Sequence, residues 1–160
     1  MKFPKVYTEY IINKYIIDGG YSQIYKGIYN NKECIVKKIN NDVYRSIEYE
    51  ITSKTENKHN LLHSYNIYDE SDHKSILFPF YKNGDLLDHI NNNFPISEYE
   101  IKDYIYQILK SIYDLNHIGY VHLDIKLDNL FLDDEYKILL GDFGLANYLL
   151  ENDNKLDLLN

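Results

Sequence analysis

The chain has 160 residues, 44% hydrophobic and 26% charged, which suits one ordinary domain or two small lobes with a real core and excludes a disordered polymer. Its formal net charge of −8 argues against non-specific binding to nucleic acid or to an anionic membrane, because both repel an acidic protein. A lone cysteine, Cys34, excludes an intrachain disulfide and points to a reducing setting, cytoplasmic or otherwise intracellular; the N-terminal stretch, interrupted by Glu9, Asn13 and Lys14, reads as neither signal peptide nor membrane span.

In chain order, residues 11–18, 22–29 and 33–39 read as three strands, with Gly19-Gly20 and Asn30-Asn31 at the turns. Val43, Ile47 and Ile51 recur four apart and predict a helix over 42–57 with one apolar stripe. Two further strands are expected at 61–68 and 75–80, then a short helix at 86–90. The clearest element is a helix over 97–118. Ser97 and Glu100 form a capping-box pattern, Ile101, Ile105, Ile108, Ile112 and Leu115 keep the helical period, and Gly119 sits where a C-terminal glycine belongs. An Asp133-Asp134-Glu135 turn and a strand at 136–140 lead into Gly141-Asp142-Phe143-Gly144.

The stretch VHLDIKLDNLFLD, residues 121–133, places ionisable groups at fixed offsets among apolar residues. It resembles the protein-kinase catalytic loop H-R-D-L-K-x-x-N, here His122-Leu123-Asp124-Ile125-Lys126-Leu127-Asp128-Asn129, and Asp142-Phe143-Gly144 matches D-F-G. On these motifs the chain is similar to eukaryotic-type protein kinases of the serine/threonine branch, truncated after D-F-G. The resemblance implies an α+β, kinase-like two-lobe fold. A five-stranded antiparallel N-terminal lobe would span 1–81, with the phosphate loop and its helix. A partial helical C-terminal lobe over 82–160 would carry the catalytic loop and D-F-G and lack the remaining helices.

The same resemblance implies ATP and Mg²⁺ as cofactors and phosphoryl transfer to a protein Ser/Thr hydroxyl, a reaction that asks a protein mainly for positioning and charge stabilisation. Asp124 would accept the hydroxyl proton and Lys126 would neutralise charge on the γ-phosphate, while Asn129 and Asp142 would hold the metal. Lys37, in Cys34-Ile35-Val36-Lys37, would bind the α- and β-phosphates. Its helix partner is assigned as Glu50, because Glu50-Ile51 followed by His59-Asn60 mirrors the family's E-I…H-x-N run; Glu48 and Glu56 stay open as alternatives. Ile16, Gly19, Gly20 and Ile24 would line the phosphate loop. Phe78 would be the gatekeeper, Phe80 would lie in the hinge at 79–81, and Phe131 would support one face of the adenine.

Several positions depart from the family pattern. Ile17 and Ser22 replace two loop glycines, and Ile35 and Phe131 add bulk to the adenine slot. Leu123 replaces an Arg that pairs with a phosphorylated activation segment. With Glu50 as the partner, Lys54 falls where an apolar residue should meet Phe143. An alternative function is therefore a weak or inactive kinase-like regulatory module. The expected partners are a protein substrate and a protein covering the exposed face of the 97–118 helix, with no nucleic acid and no membrane.

Overall fold

The computed structural model describes residues 5–6, 9–56 and 60–149. Three strands follow the order expected: β2 (Tyr10–Asp18), β3 (Ser22–Tyr29) and β4 (Lys32–Asn40). The β2–β3 turn is closed by a Gly19 N–H to Ser22 C=O bond of 2.7 Å. Asn30 and Asn31 both take positive φ, 50° and 61°, giving the two left-handed residues that let a two-residue turn match the twist of the β3–β4 hairpin. β5 (Asn66–Asp69) and β6 (His73–Pro79) complete the sheet, and β1 (Lys5–Val6) adds a two-residue edge to the five strands expected. The strand order is β1-β2-β3-β4-β6-β5, with antiparallel pairing throughout.

Because side chains alternate along a strand, β4 serves two cores. Cys34 and Val36 join Tyr10, Ile12 and Leu77 on one face. Ile35, Lys37 and Ile39 point to the other, toward a larger core shared with the rest of the chain.

The predicted helix over 42–57 is much shorter, α1 (Ile47–Ser53). Its start is delayed because the Asn40 side chain accepts the Asp42 N–H (3.0 Å) and the Asn40 carbonyl accepts the Val43 N–H (3.1 Å), closing a turn instead. Its end is set by Thr52 and Thr55, whose hydroxyls donate to the carbonyls of Glu48 (2.9 Å) and Thr52 (3.1 Å) and compete with the helical ladder. The expected strand at 61–68 begins only at Asn66, because residues before it pair elsewhere. Leu62 N–H donates to Leu140 C=O (2.8 Å) and Leu140 N–H to Asn60 C=O (2.9 Å), stitching the sheet lobe to the second lobe.

In that second lobe α2 (Leu86–Asn93) is capped by Asp85. α3 (Glu98–His117) begins at the complete Ser97/Glu100 capping box and gives way to Gly119 at φ 90°. Two short strand pairs follow: β7 (Tyr120–Val121) pairs with the later β10 (Asn147–Tyr148), and between them β8 (Leu130–Leu132) forms a hairpin with β9 (Ile138–Leu140). The last of these strands starts later than expected because the Asp133 carboxylate takes the Glu135 and Lys137 amides (2.8 and 2.9 Å), leaving Tyr136 in a turn at φ 61°. Among the described residues no helix is long and apolar enough to cross a membrane.

Candidate active site

The sheet, α1 and the D-F-G turn after β9 converge on Lys37. Its Nζ donates to Glu48 Oε1 at 2.7 Å and to Asp142 Oδ1 at 2.8 Å, so one ammonium joins a central strand, the helix and D-F-G. Burial works to discharge Lys37, but the two carboxylates outweigh it and hold the group protonated. Glu48, almost wholly enclosed, is pushed above the usual carboxylate range by burial, against the pull of Lys37 and with the help of the Asp142 charge. Asp142 is held below its ordinary value: burial raises it, but the Lys37 charge and hydrogen bond win.

The assignment of Glu50 as partner of Lys37 is thereby corrected. The buried arc of α1 consists of Ile47, Glu48, Ile51 and Thr52, and Glu50 lies on another side of the helix, against Lys54, Tyr120 and Tyr148. Glu56 is exposed beyond the helix end, and His59, part of the run that favoured Glu50, lies outside the described residues. The corrected register also removes the Lys54 anomaly. Four residues after Glu48 stands the fully buried Thr52, and Phe143, also fully buried, lies in the same core as Ile47 and Ile51. The signal available in the sequence was the arc itself: Glu48 sits between Ile47 and Ile51 on the apolar side.

The catalytic-loop segment hangs from His122. Its ring bonds the Gly141 carbonyl through Nε2 (2.9 Å) and accepts the Asp124 N–H at Nδ1 (3.2 Å), which fits a neutral ring with its proton on Nε2. Burial lowers its pKa, consistent with that neutral form. Asp124 Oδ2 receives Lys126 Nζ at 3.2 Å and Asn129 Nδ2 at 3.1 Å, so three of the predicted residues form one cluster. The Asp124 contact raises the Lys126 pKa. Gly141 N–H donates to the Asn129 carbonyl (2.9 Å), which sets Asp142 one residue from the Asn129 anchor. Two non-glycine residues here take left-handed backbone, Leu123 at φ 64° and Asp142 at φ 57°, conformations that cost roughly 1–2 kcal/mol each. Such strain gathers where the surrounding bonds override it.

The remaining predicted residues fall around this centre. Ile24 stands opposite Lys37 on the β3–β4 ladder and so shares its face. Its partner on β2 is Ile17; Ile16 is the bulged residue between two register positions and is exposed. Gly19 and Gly20 form the hairpin turn at that end. Phe78 is buried opposite Ile35 on the β4–β6 ladder. The Phe80 ring carries the Lys26 ammonium 3.8 Å from its centroid. Phe131 packs over Gly141: a methyl added there would come within 2.8 Å of the Phe131 ring and of Leu62. Sequence reasoning did not anticipate Arg45, whose guanidinium donates to the carbonyls of Gly144 (3.3 Å) and Ala146 (3.1 Å), just past D-F-G.

The profile of the protein kinase domain family matches residues 10–158, nearly the whole chain. The chain belongs to the eukaryotic-type protein kinase family. Among curated relatives, this kinase-family chain is 30% identical over 151 residues to the probable serine/threonine-protein kinase 2 of Plasmodium falciparum, covering 88% of this chain and 29% of that protein. It is 27% identical over 160 residues to the probable cell cycle serine/threonine-protein kinase CDC5 homolog of Encephalitozoon cuniculi, covering 94% and 34%. A putative serine/threonine-protein kinase/receptor of Acanthamoeba polyphaga mimivirus is 31% identical over 157 residues, covering 93% and 10%. The kinase chain thus spans about a third or less of the length of these relatives.

Proposed function

We propose that the chain is an ATP- and Mg²⁺-dependent serine/threonine protein kinase domain. The observation that carries this reading is the Lys37 ammonium shared between Glu48 and Asp142, at 2.7 and 2.8 Å. Phosphoryl transfer in protein kinases requires a strand lysine paired to the helix glutamate and a D-F-G aspartate placed to hold the metal, and here both acidic groups meet at Lys37. The serine/threonine assignment rests on Lys126, two residues after Asp124, and on the names of the relatives.

The residues fit a hard cation. Among the described residues no three His, Cys, Asp or Glu side chains cluster to cage a metal by themselves. Mg²⁺ does not need that: it takes one or two protein oxygens and completes its shell with phosphates and water. Asp142 supplies a carboxylate and Asn129 an amide oxygen, the Asn129 amide nitrogen being committed to Asp124. When bound, the metal supplies charge neutralisation for the phosphates. Lys37 binds and orients the α- and β-phosphates. Asp124, fixed by Asn129 and by the hydrogen bond its backbone N–H donates to His122 Nδ1, accepts the proton of the protein hydroxyl, and Lys126 stands beside it to meet charge on the transferred group.

The test is a labelled-ATP assay on a basic protein substrate, wild type beside Asp124→Asn, paired with a Mg·ATP thermal shift on wild type and Asp142→Ala. Transfer lost in Asp124→Asn and a shift lost in Asp142→Ala are the expected results. No shift in wild type at millimolar Mg·ATP overturns the reading. A second reading, a regulatory module that docks a protein, is favoured by the exposed Ile101, Ile105 and Leu109 of α3; it predicts neither transfer nor shift.

A further inference from the structure

Glu50, displaced from the role of Lys37 partner, accepts three hydrogen bonds of its own. Its Oε1 accepts from the Tyr120 hydroxyl at 2.7 Å and from Lys54 Nζ at 2.9 Å, and its Oε2 accepts from the Tyr148 hydroxyl at 2.9 Å. Lys54 also donates to the Tyr120 hydroxyl at 3.0 Å. The two tyrosines belong to the paired strands β7 and β10, and their rings lie 5.5 Å apart. One carboxylate of α1 is thus gripped by the strands on either side of the catalytic loop and D-F-G.

We infer that Glu50 is a positioning residue: with Tyr120, Tyr148 and Lys54 it clamps α1 in the orientation that delivers Glu48 to Lys37. The inference rests on the proposed nucleotide site and adds to it how that site is held. Glu48 and Glu50 lie two residues apart on a helix of seven, so a roll of α1 that frees Glu50 also withdraws Glu48. Arg45 ties the chain just before α1 to the Gly144 and Ala146 carbonyls, so the segment after D-F-G is held both ahead of the helix and, through Tyr148, at its middle. The clamp uses unmodified hydroxyls, an ammonium and a guanidinium. At the position where the resemblance calls for a phosphate-pairing arginine stands Leu123, 67% exposed and unable to bind an anion. The clamp holds the post-D-F-G segment without an added phosphate.

The experiment uses the full chain with Glu50→Gln, Tyr148→Phe and the double variant; Tyr148 is half-exposed, so its phenylalanine variant has no core to disturb. Amide hydrogen exchange is followed over 47–53 and 143–149, and Mg·ATP affinity is measured in parallel. Each single variant is expected to speed exchange in both segments about tenfold while β3 and β4 stay unchanged, with the double variant no worse than either single. Lys54→Arg, which keeps the cation, should behave as wild type. Mg·ATP affinity should fall several-fold with the exchange change. Unchanged exchange in α1 for both single variants, or additive effects in the double, overturns the clamp. If wild type takes up no Mg·ATP, the nucleotide reading falls by itself while the exchange result still decides the clamp.

Discussion

Lys37 faces two carboxylates, and the cost of removing it depends on whether the one left in the interior can take up a proton. Replacing Lys37 with Met leaves Glu48 buried without a cation, which destabilises by about 3 kcal/mol at neutral pH. Burial already holds the Glu48 pKa above its ordinary 4.5, and loss of Lys37 raises it further. A group that binds its proton more tightly when folded adds stability as pH falls through its folded pKa and loses it as pH rises. Lys37→Met should therefore recover part of its deficit relative to wild type between about pH 7.5 and 5, read as the urea midpoint of each protein at both values. A constant deficit would mean that Glu48 escapes to water in the variant. At this scale the sequence was legible wherever spacing alone fixes position: Lys37, Asp124, Lys126, Asn129 and Asp142 all come to the same region. It was not legible for Glu48 against Glu50, because both are glutamates within one turn and only the buried arc of α1 separates them.

Element boundaries show the same division between local and non-local causes. The start of α3 was readable because its cap is local. Ser97 Oγ accepts the Glu100 N–H at 3.2 Å and the Glu100 carboxylate accepts the Ser97 N–H at 3.0 Å. Ser97→Ala should cost about 1 kcal/mol and lower the thermal midpoint by a few degrees, with no effect on the distant Lys37 pair. The expected strand at 61–68 failed for a non-local reason: Asn60 and Leu62 spend their backbone groups on Leu140, about eighty residues away in the chain, which no local pattern announces. Gly141 lies at the end of that same ladder. Its missing side chain leaves room for the Phe131 ring and Leu62, while its own backbone bonds Asn129 and His122. Gly141→Ala forces those neighbours apart at a cost of roughly 1–3 kcal/mol, and the shift passes directly to Asp142. Chemical denaturation should show the loss of stability, and Mg·ATP affinity should fall with it; an alanine variant with wild-type values for both would mean that Phe131 rotates away freely.

For the molecule as a whole, α3 presents Ile101, Ile105 and Leu109, four residues apart, at 47%, 51% and 60% exposure, with Tyr106 and Tyr113 beside them. Its inward side is carried by Ser111 and Leu115, both fully buried, so the helix is anchored without the outer stripe. An apolar stripe of this kind on a chain of net charge −8 sets two tendencies against each other: self-repulsion keeps molecules apart, and the stripe draws them together once salt screens the charge. Changing Ile105 to Glu and Leu109 to Lys together separates the two. The net charge is unchanged, and the new pair has the favourable i,i+4 order, worth about 0.2–0.5 kcal/mol to the helix. Light scattering across a salt series should show wild type associating as ionic strength rises and the double variant staying dispersed. Because both side chains already meet water, the thermal midpoint should move by no more than the few degrees expected of surface changes, within about 0.5 kcal/mol. A collapse of stability in the double variant would show instead that the stripe is packed in solution, and that α3 belongs to a larger core than the one seen around Leu115.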